Sequence, residues 1–291
     1  MSTLPSVIRH WARTARRALA AALLGMVAPS ASAAPALYVF DDPSSGGVIW
    51  LFPVVHALPA GLDWRTPDIA KAFDAADIVV LETDPQASAQ AERPLPPPTR
   101  SVRPWTELWP DDLKTRFRIR AQAERLDADR LARTRPVFAA LALSPRSPWP
   151  SRAGWGIEAV LADAARTAQK PVLDLEPADA FRRRALGLSD AEARDWLALI
   201  LNEPVGFAER LAAAWTSGDV ETVERFVVET PRDRAPGAFS ALVTQRHASW
   251  IATLKAQQDQ GRRLFVAIGA AHVYGPDGLR AALQAPIRAE P

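Results

Sequence analysis

The stretch "GVIWLFPVVHALPAGLDWRTPDIAKAFDAADIVVLETD", residues 47–84, constrains the fold more than any other part of the chain. An apolar run, "GVIWLF" (47–52), is followed by a helix-like segment and then by a second apolar run, "DIVVLE" (77–82). Both runs have the length of strands, and the second is apolar on both faces. Between them Thr66 is a natural N-cap with Pro67 at the first helical position, and Ile69, Ala72 and Phe73 share one helical face. Strand, helix and strand in so short a span form a βαβ unit, which predicts a right-handed crossover and parallel pairing.

The rest of the chain extends this pattern. "ALYVF" (36–40) precedes the unit through "DDPSSG", a stretch suited to a hairpin turn. Residues 85–104 are proline-rich and read as an irregular surface loop or flap, and a helical block follows from about Pro110 to Leu143. Ile157, Val160, Leu161, Ala164 and Ala165 then fall at helical spacing, ahead of the strand "PVLDLE" (171–176). Residues 178–260 are again helical, with "SDAEARDWLALIL" and "FSALVTQRHASWIATLKAQ" the clearest segments. "RLFVAIG" (263–269) is the last strand, and "GPDGLRAALQ" opens a closing helix with Asp277 near its start. The predicted class is α/β (or α+β): a central mixed sheet with flanking helices and a helical insertion, all in one domain over 34–291.

Residues 1–33 stand apart from that domain. "RHWARTARR" is a basic n-region, "ALAAALLGMVA" a short apolar h-region, and Ala31 and Ala33 offer small residues for cleavage. This is the pattern of an export signal cut near Ala33, and the apolar run is too short to span a bilayer comfortably. The destination is then periplasmic or extracellular. The full chain has 35 basic and 33 acidic residues, but four arginines lie in the signal, leaving 31 against 33. That balance gives no basic surface for nucleic acid. The absence of cysteine excludes disulfides, thiol nucleophiles and cysteine-type zinc sites.

Four polar residues end strands: His56, Glu82, Glu176 and His272. In open α/β sheets ligands bind at the carboxyl edge, so residues far apart in sequence converge there. Two imidazoles and two carboxylates suit a divalent ion such as zinc or manganese. They equally suit general acid–base catalysis without a metal, and each also has an ordinary structural use as a hydrogen-bonding or ion-pairing group. "VVHALP" and "AAHVYG" have the same form: two small or apolar residues, histidine, then a loop. Trp50, Trp105, Trp109 and Trp155 read as packing residues rather than a ligand cage.

"VIWLFPVVHALP…DIAKAFDAADIVVLETD" and "QRHASWIATLKAQ…RLFVAIGAAHVYGPDGLRAAL" resemble the opening and closing signatures of the TraB/GumN family, which includes the Tiki-type metalloproteases. "ARTRPVFAALAL", "GIEAVLADAARTAQKPVLDLE" and "AAWTSGDVETV" are similar to the pattern between them, so the likeness spans nearly all of 34–291 in order. It implies an α/β core with helical insertions and a divalent-metal-dependent peptidase with two G-x-x-H motifs and a glutamate. The second motif is Gly269 to His272 and the glutamate is Glu82. The first motif keeps His56 but has Pro53 in place of glycine. The family's Arg-Asn pair is here Arg246-His247, Glu176 matches an acidic position, and Glu158 stands where aspartate is common.

The resulting expectation is an exported metal-dependent hydrolase, namely a peptidase. His56, Glu82 and His272 are the metal candidates, Glu82, Glu176 and Arg246 the catalytic ones, and manganese, cobalt or zinc the ion. Its partner is a peptide or small-molecule substrate, with no nucleic acid and no stable membrane span. Arg246 has two readings: a buried pair with Glu176 or Glu82, or a fork for a substrate carboxylate or oxyanion. His247 is an unfavourable extra ligand, because adjacent helical residues point about 100° apart. Pro53, which fixes φ and lacks an N–H, threatens the placement of His56. The alternative is a non-catalytic haem, metal or small-ligand binding protein on the same fold. An ester hydrolase is a weaker third reading, and no Gly-x-Ser-x-Gly elbow supports a serine mechanism.

Overall fold

The computed structural model describes residues 34–55, 58, 62–84, 103–143 and 156–284. The expected signal and its cleavage site, the proline-rich loop over 85–102, His56 and Trp155 lie outside the described residues.

Five strands form one mixed sheet in the order β1-β2-β5-β3-β4. β1 (Tyr38–Asp42) and β2 (Gly47–Val54) make the expected hairpin, with Tyr38 opposite Leu51 and Asp42 opposite Gly47. Its turn is held by the Asp42 carboxylate, which accepts from the Ser44 N–H at 2.9 Å and the Ser45 hydroxyl at 2.6 Å, and by Gly46 at φ +75°. The other neighbours, β3 (Ile78–Leu81), β4 (Val172–Asp174) and β5 (Arg263–Gly269), are all parallel. The βαβ unit therefore differs from its expectation: β2 and β3 do not pair, because β5 lies between them. Leu264 to Gly269 are buried throughout, and a strand that is apolar on both faces is most stable at the centre of a parallel sheet.

The helices named here are α1 (Pro67–Ala75), α2 (Asp111–Ala123), α3 (Pro136–Leu143), α4 (Ile157–Thr167), α5 (Ala180–Gly187), α6 (Asp190–Leu201), α7 (Phe207–Ser217), α8 (Pro236–Leu242) and α9 (His247–Gln258). α1 forms as the sequence predicts, with Thr66 Oγ1 accepting from the Ile69 N–H at 3.4 Å and Ile69, Ala72 and Phe73 buried. In α4 the buried face is Ile157, Leu161, Ala162 and Ala165, whereas Val160 is exposed, contrary to the expected stripe. At 100° per residue Val160 falls well to one side of that face.

The predicted helical insertion is present and has cores of its own. Trp105, Phe117, Leu143 and Leu197 gather one of them between α2, α3 and α6. Val137, Ala185, Ala193 and Leu242 gather another between α3, α5, α6 and α8. The segment "FSALVTQRHASWIATLKAQ" is not one helix. It breaks at Val243 (φ −120°, ψ −71°), passes through a 3-10 turn at Thr244–Arg246, and resumes as α9. α8 belongs to the helical insertion and α9 packs on the sheet through Trp250 and Leu254. The break places Arg246 at the joint between them. Among the described residues no helix is long and apolar enough to cross a membrane.

Candidate functional site

The parallel strands end together, which aligns the residues that follow them. Beyond the ends of β3 and β4 the ladder runs on: the Leu175 N–H donates to Leu81 O and the Glu176 N–H to Glu82 O, both at 3.0 Å. Glu82 and Glu176 therefore lie side by side. β5 ends next to them, and its last residue, Gly269, donates its N–H to Glu82 Oε1 at 2.8 Å. Gly269 has φ −53°, which any residue can adopt, so the glycine of this G-x-x-H motif is not required for a left-handed backbone. His272 follows on the single helical turn Ala270–Val273. Its Nε2 is 3.7 Å from Glu82 Oε1.

Arg246 ties the cluster together. Its Nη2 donates to Glu82 Oε2 at 3.0 Å and lies 3.0 Å from Glu176 Oε2, the second contact being an ion pair off the hydrogen-bond axis. Its Nη1 donates to Leu242 O at 3.0 Å and meets His272 Nε2 at 3.2 Å. The guanidinium also stacks 4.4 Å from the centre of the Trp250 ring. Glu176 has a second cation, Arg184, which donates from Nη2 to Oε1 at 2.8 Å. Glu176, Arg246 and His272 are all buried, and the Arg246 Nε–H has no partner among the described residues. The expected structural pairing of Arg246 is thus present, and with both glutamates at once.

His247 corrects the helical-angle expectation. Arg246 ends the 3-10 turn and His247 opens α9, and the two grip the His272 ring from opposite nitrogens. His247 Nε2 is 3.0 Å from His272 Nδ1, and His247 Nδ1 is 2.6 Å from the carbonyl oxygen of Asp277. Burial, the largest influence, pushes the His247 imidazole below its ordinary pKa, and the nearby Arg246 charge pushes it the same way. Trp250 closes the back of the cluster, 4.8 Å from the His272 ring centre.

Pro53 sits inside β2 without breaking it. Pro53 pairs in register with Ile268 and Val54 with Gly269, so the ladder to β5 continues to the strand end. The Pro53 carbonyl turns away from β5 and accepts from Trp215 Nε1 of α7 at 2.7 Å. A residue's N–H and C=O point to the same side of a strand, and β1 has already ended at Tyr38, opposite Leu51. No ladder hydrogen bond is missing at the proline.

The implied divalent metal can be tested against these donors. Two ligands about 2.1 Å from one ion are at most about 4.2 Å apart, so His272 Nε2 and Glu82 Oε1, 3.7 Å apart, fit in kind and spacing once Arg246 Nη1, 3.2 Å from that nitrogen, gives up its contact. Among the described residues no three His, Cys, Asp or Glu side chains make a metal-sized group. A third donor would be His56, two residues beyond the end of the strand that pairs with β5. Glu176 is taken up by its two arginines. Glu158 stands in the first turn of α4.

Three contributors escape the sequence reading: Arg184, Trp250 and the backbone of Asp277. The run "RRR" at 182–184 and the four-residue spacing of Arg246 and Trp250 were the available signals. Compared with known proteins, residues 38–286 match the model of the TraB/PrgY/gumN family. No curated protein and no solved structure matches the chain.

Proposed function

The chain belongs to the TraB/PrgY/gumN family, and on that premise we propose that it is an exported, metal-dependent hydrolase acting on peptide bonds. One observation carries the reading: residues following β5, β3 and β4, which lie side by side, converge as His272, Glu82 and Glu176 around a single buried arginine. His272 Nε2, Glu82 and His56 would hold a divalent ion such as zinc, manganese or cobalt. When bound, such an ion polarises a carbonyl and acidifies a water.

The chain's own residues divide the remaining work. The Glu82 side chain is 17% exposed, whereas Glu176 is 5% and Arg246 3% exposed. Glu82 is therefore the carboxylate that water and substrate meet. The Gly269 N–H and Arg246 fix the direction of that carboxylate. Glu176, clamped by Arg184 and Arg246, holds the guanidinium in place rather than moving protons.

The test is elemental analysis of protein purified without chelators, with peptide hydrolysis measured in parallel for wild type, His272→Ala and Glu82→Gln. Near-stoichiometric metal that His272→Ala loses is expected, together with hydrolysis that Glu82→Gln abolishes. A metal-free wild type that cleaves no peptide after incubation with zinc, manganese or cobalt would overturn the proposal in favour of a ligand-binding protein.

A further inference from the structure

We propose that His247 is a positioning residue that fixes which ring nitrogen of His272 carries the proton, and so keeps Nε2, the nitrogen that faces Arg246 Nη1, as an acceptor. The functional consequence rests on the hydrolase reading above; the placement of the proton does not.

The contacts Arg246–His272–His247–Asp277 form a chain whose two ends have fixed polarity. A backbone carbonyl only accepts and a guanidinium only donates. The Asp277 carbonyl, 2.6 Å away, therefore obliges His247 Nδ1 to carry a proton. In a neutral ring His247 Nε2 then accepts, so His272 Nδ1, 3.0 Å away, must be the donor. That leaves His272 Nε2 unprotonated, which is what Arg246 Nη1 requires at 3.2 Å. Each alternative fails at one junction. Moving the His272 proton to Nε2 sets N–H against N–H at Arg246 and leaves two lone pairs facing each other at His247. Protonating His272 fully sets N–H against N–H at Arg246. Protonating His247 does the same at its contact with His272, or at Arg246 if the His272 proton shifts. Only the state with both rings neutral satisfies the three contacts of this four-residue chain.

The far end of the chain is a tight turn. Arg232 Nη2 donates to the Asp277 carboxylate at 2.9 Å. Gly275 takes φ +82°, and a Cβ on Gly278 would collide with the carbonyls of Val273 and Tyr274. These contacts shape the turn that carries the Asp277 carbonyl. A hydrogen bond to the distal nitrogen of a metal-binding imidazole sets its tautomer and orientation, and losing it costs about 10–100-fold in metal affinity.

The experiment is NMR of the full chain with 15N-labelled histidine, which has only four such residues, His10, His56, His247 and His272. His247→Gln keeps an amide near the position of Nε2, whereas His247→Asn reaches only as far as Nδ1. Wild type and His247→Gln should show His272 protonated at Nδ1 and bare at Nε2, and His247→Asn should lose that preference. Zinc affinity measured by chelator competition should fall about 10–100-fold in His247→Asn and recover in His247→Gln. A wild-type proton on His272 Nε2, or a His247→Asn variant whose His272 signals match wild type, would overturn the inference. Should the tautomer follow the variants while wild type binds no metal, the inference stands and the hydrolase reading falls. Normal zinc binding with a tautomer indifferent to His247 would sink the inference and leave the hydrolase reading standing.

Discussion

Two carboxylates withdrawn from water beside each other repel, and each pays for lost hydration, unless a cation lies between them. Arg246 is that cation for Glu82 and Glu176, and its own burial makes it dependent on them in turn. Breaking such a pair by removing one partner costs about 3–5 kcal/mol, because the charge left behind is uncompensated. Arg246→Met keeps most of the side-chain volume, so urea denaturation should show a loss of that size. Adding Glu176→Gln removes one of the stranded charges, and Arg184, its other partner, is exposed enough for solvent to take over. The double variant should therefore lose less stability than the two single losses add up to. Strict additivity would show that the ion pair off the hydrogen-bond axis contributes nothing.

Pro53 shows at the level of the element why a residue that looks disruptive in sequence need not be. Its missing N–H faces the side of β2 that β1 has left, and its carbonyl is already used by Trp215. Pro53→Gly should therefore lower stability by about 0.4–1 kcal/mol through the freer unfolded chain and leave metal affinity and hydrolysis unchanged. A marked gain in either, measured beside wild type, would mean that the proline does hold His56 out of place. The parts of the fold legible in the sequence are those fixed locally. α1 has its cap, its proline and its stripe within ten residues, and the hairpin has its turn residues. The insertion of β5 between β2 and β3 was not legible, because sheet neighbours are chosen by competition among distant strands. Nor was the break between α8 and α9, whose sequence contains no glycine or proline and reads as continuous helix. Glu82, Glu176 and His272 could be found because strand ends are legible. The grip of His247 and the stacking of Trp250 could not, since both depend on how α9 docks.

Across the whole molecule, one buried and one half-buried group pull stability in opposite directions with pH. His247, on the sheet, is held neutral below its ordinary 6.5 by burial. The unfolded chain takes up that proton first, so the contribution of His247 is complete above about 6.5 and is lost as pH falls. Glu203, just past α6 in the helical insertion, is pushed up from 4.5 to about 7 by burial, which the charge of Arg120 only partly offsets. Here the unfolded chain releases the proton first, so stability declines as pH rises from about 4.5 and the cost is complete above about 7. The gap between 4.5 and about 7 corresponds to roughly 3 kcal/mol. Solvent reaching the part-exposed Glu203 side chain reduces that to about 1–2 kcal/mol. Glu203→Gln, which cannot ionise, should therefore match wild type near pH 4.5 and exceed it by about 1–2 kcal/mol at pH 8 in urea denaturation. A variant with the same advantage at both pH values would owe it to packing rather than to charge. If the difference follows pH as argued, the helical insertion sets the alkaline limit of the fold and the sheet, through His247, its acid limit.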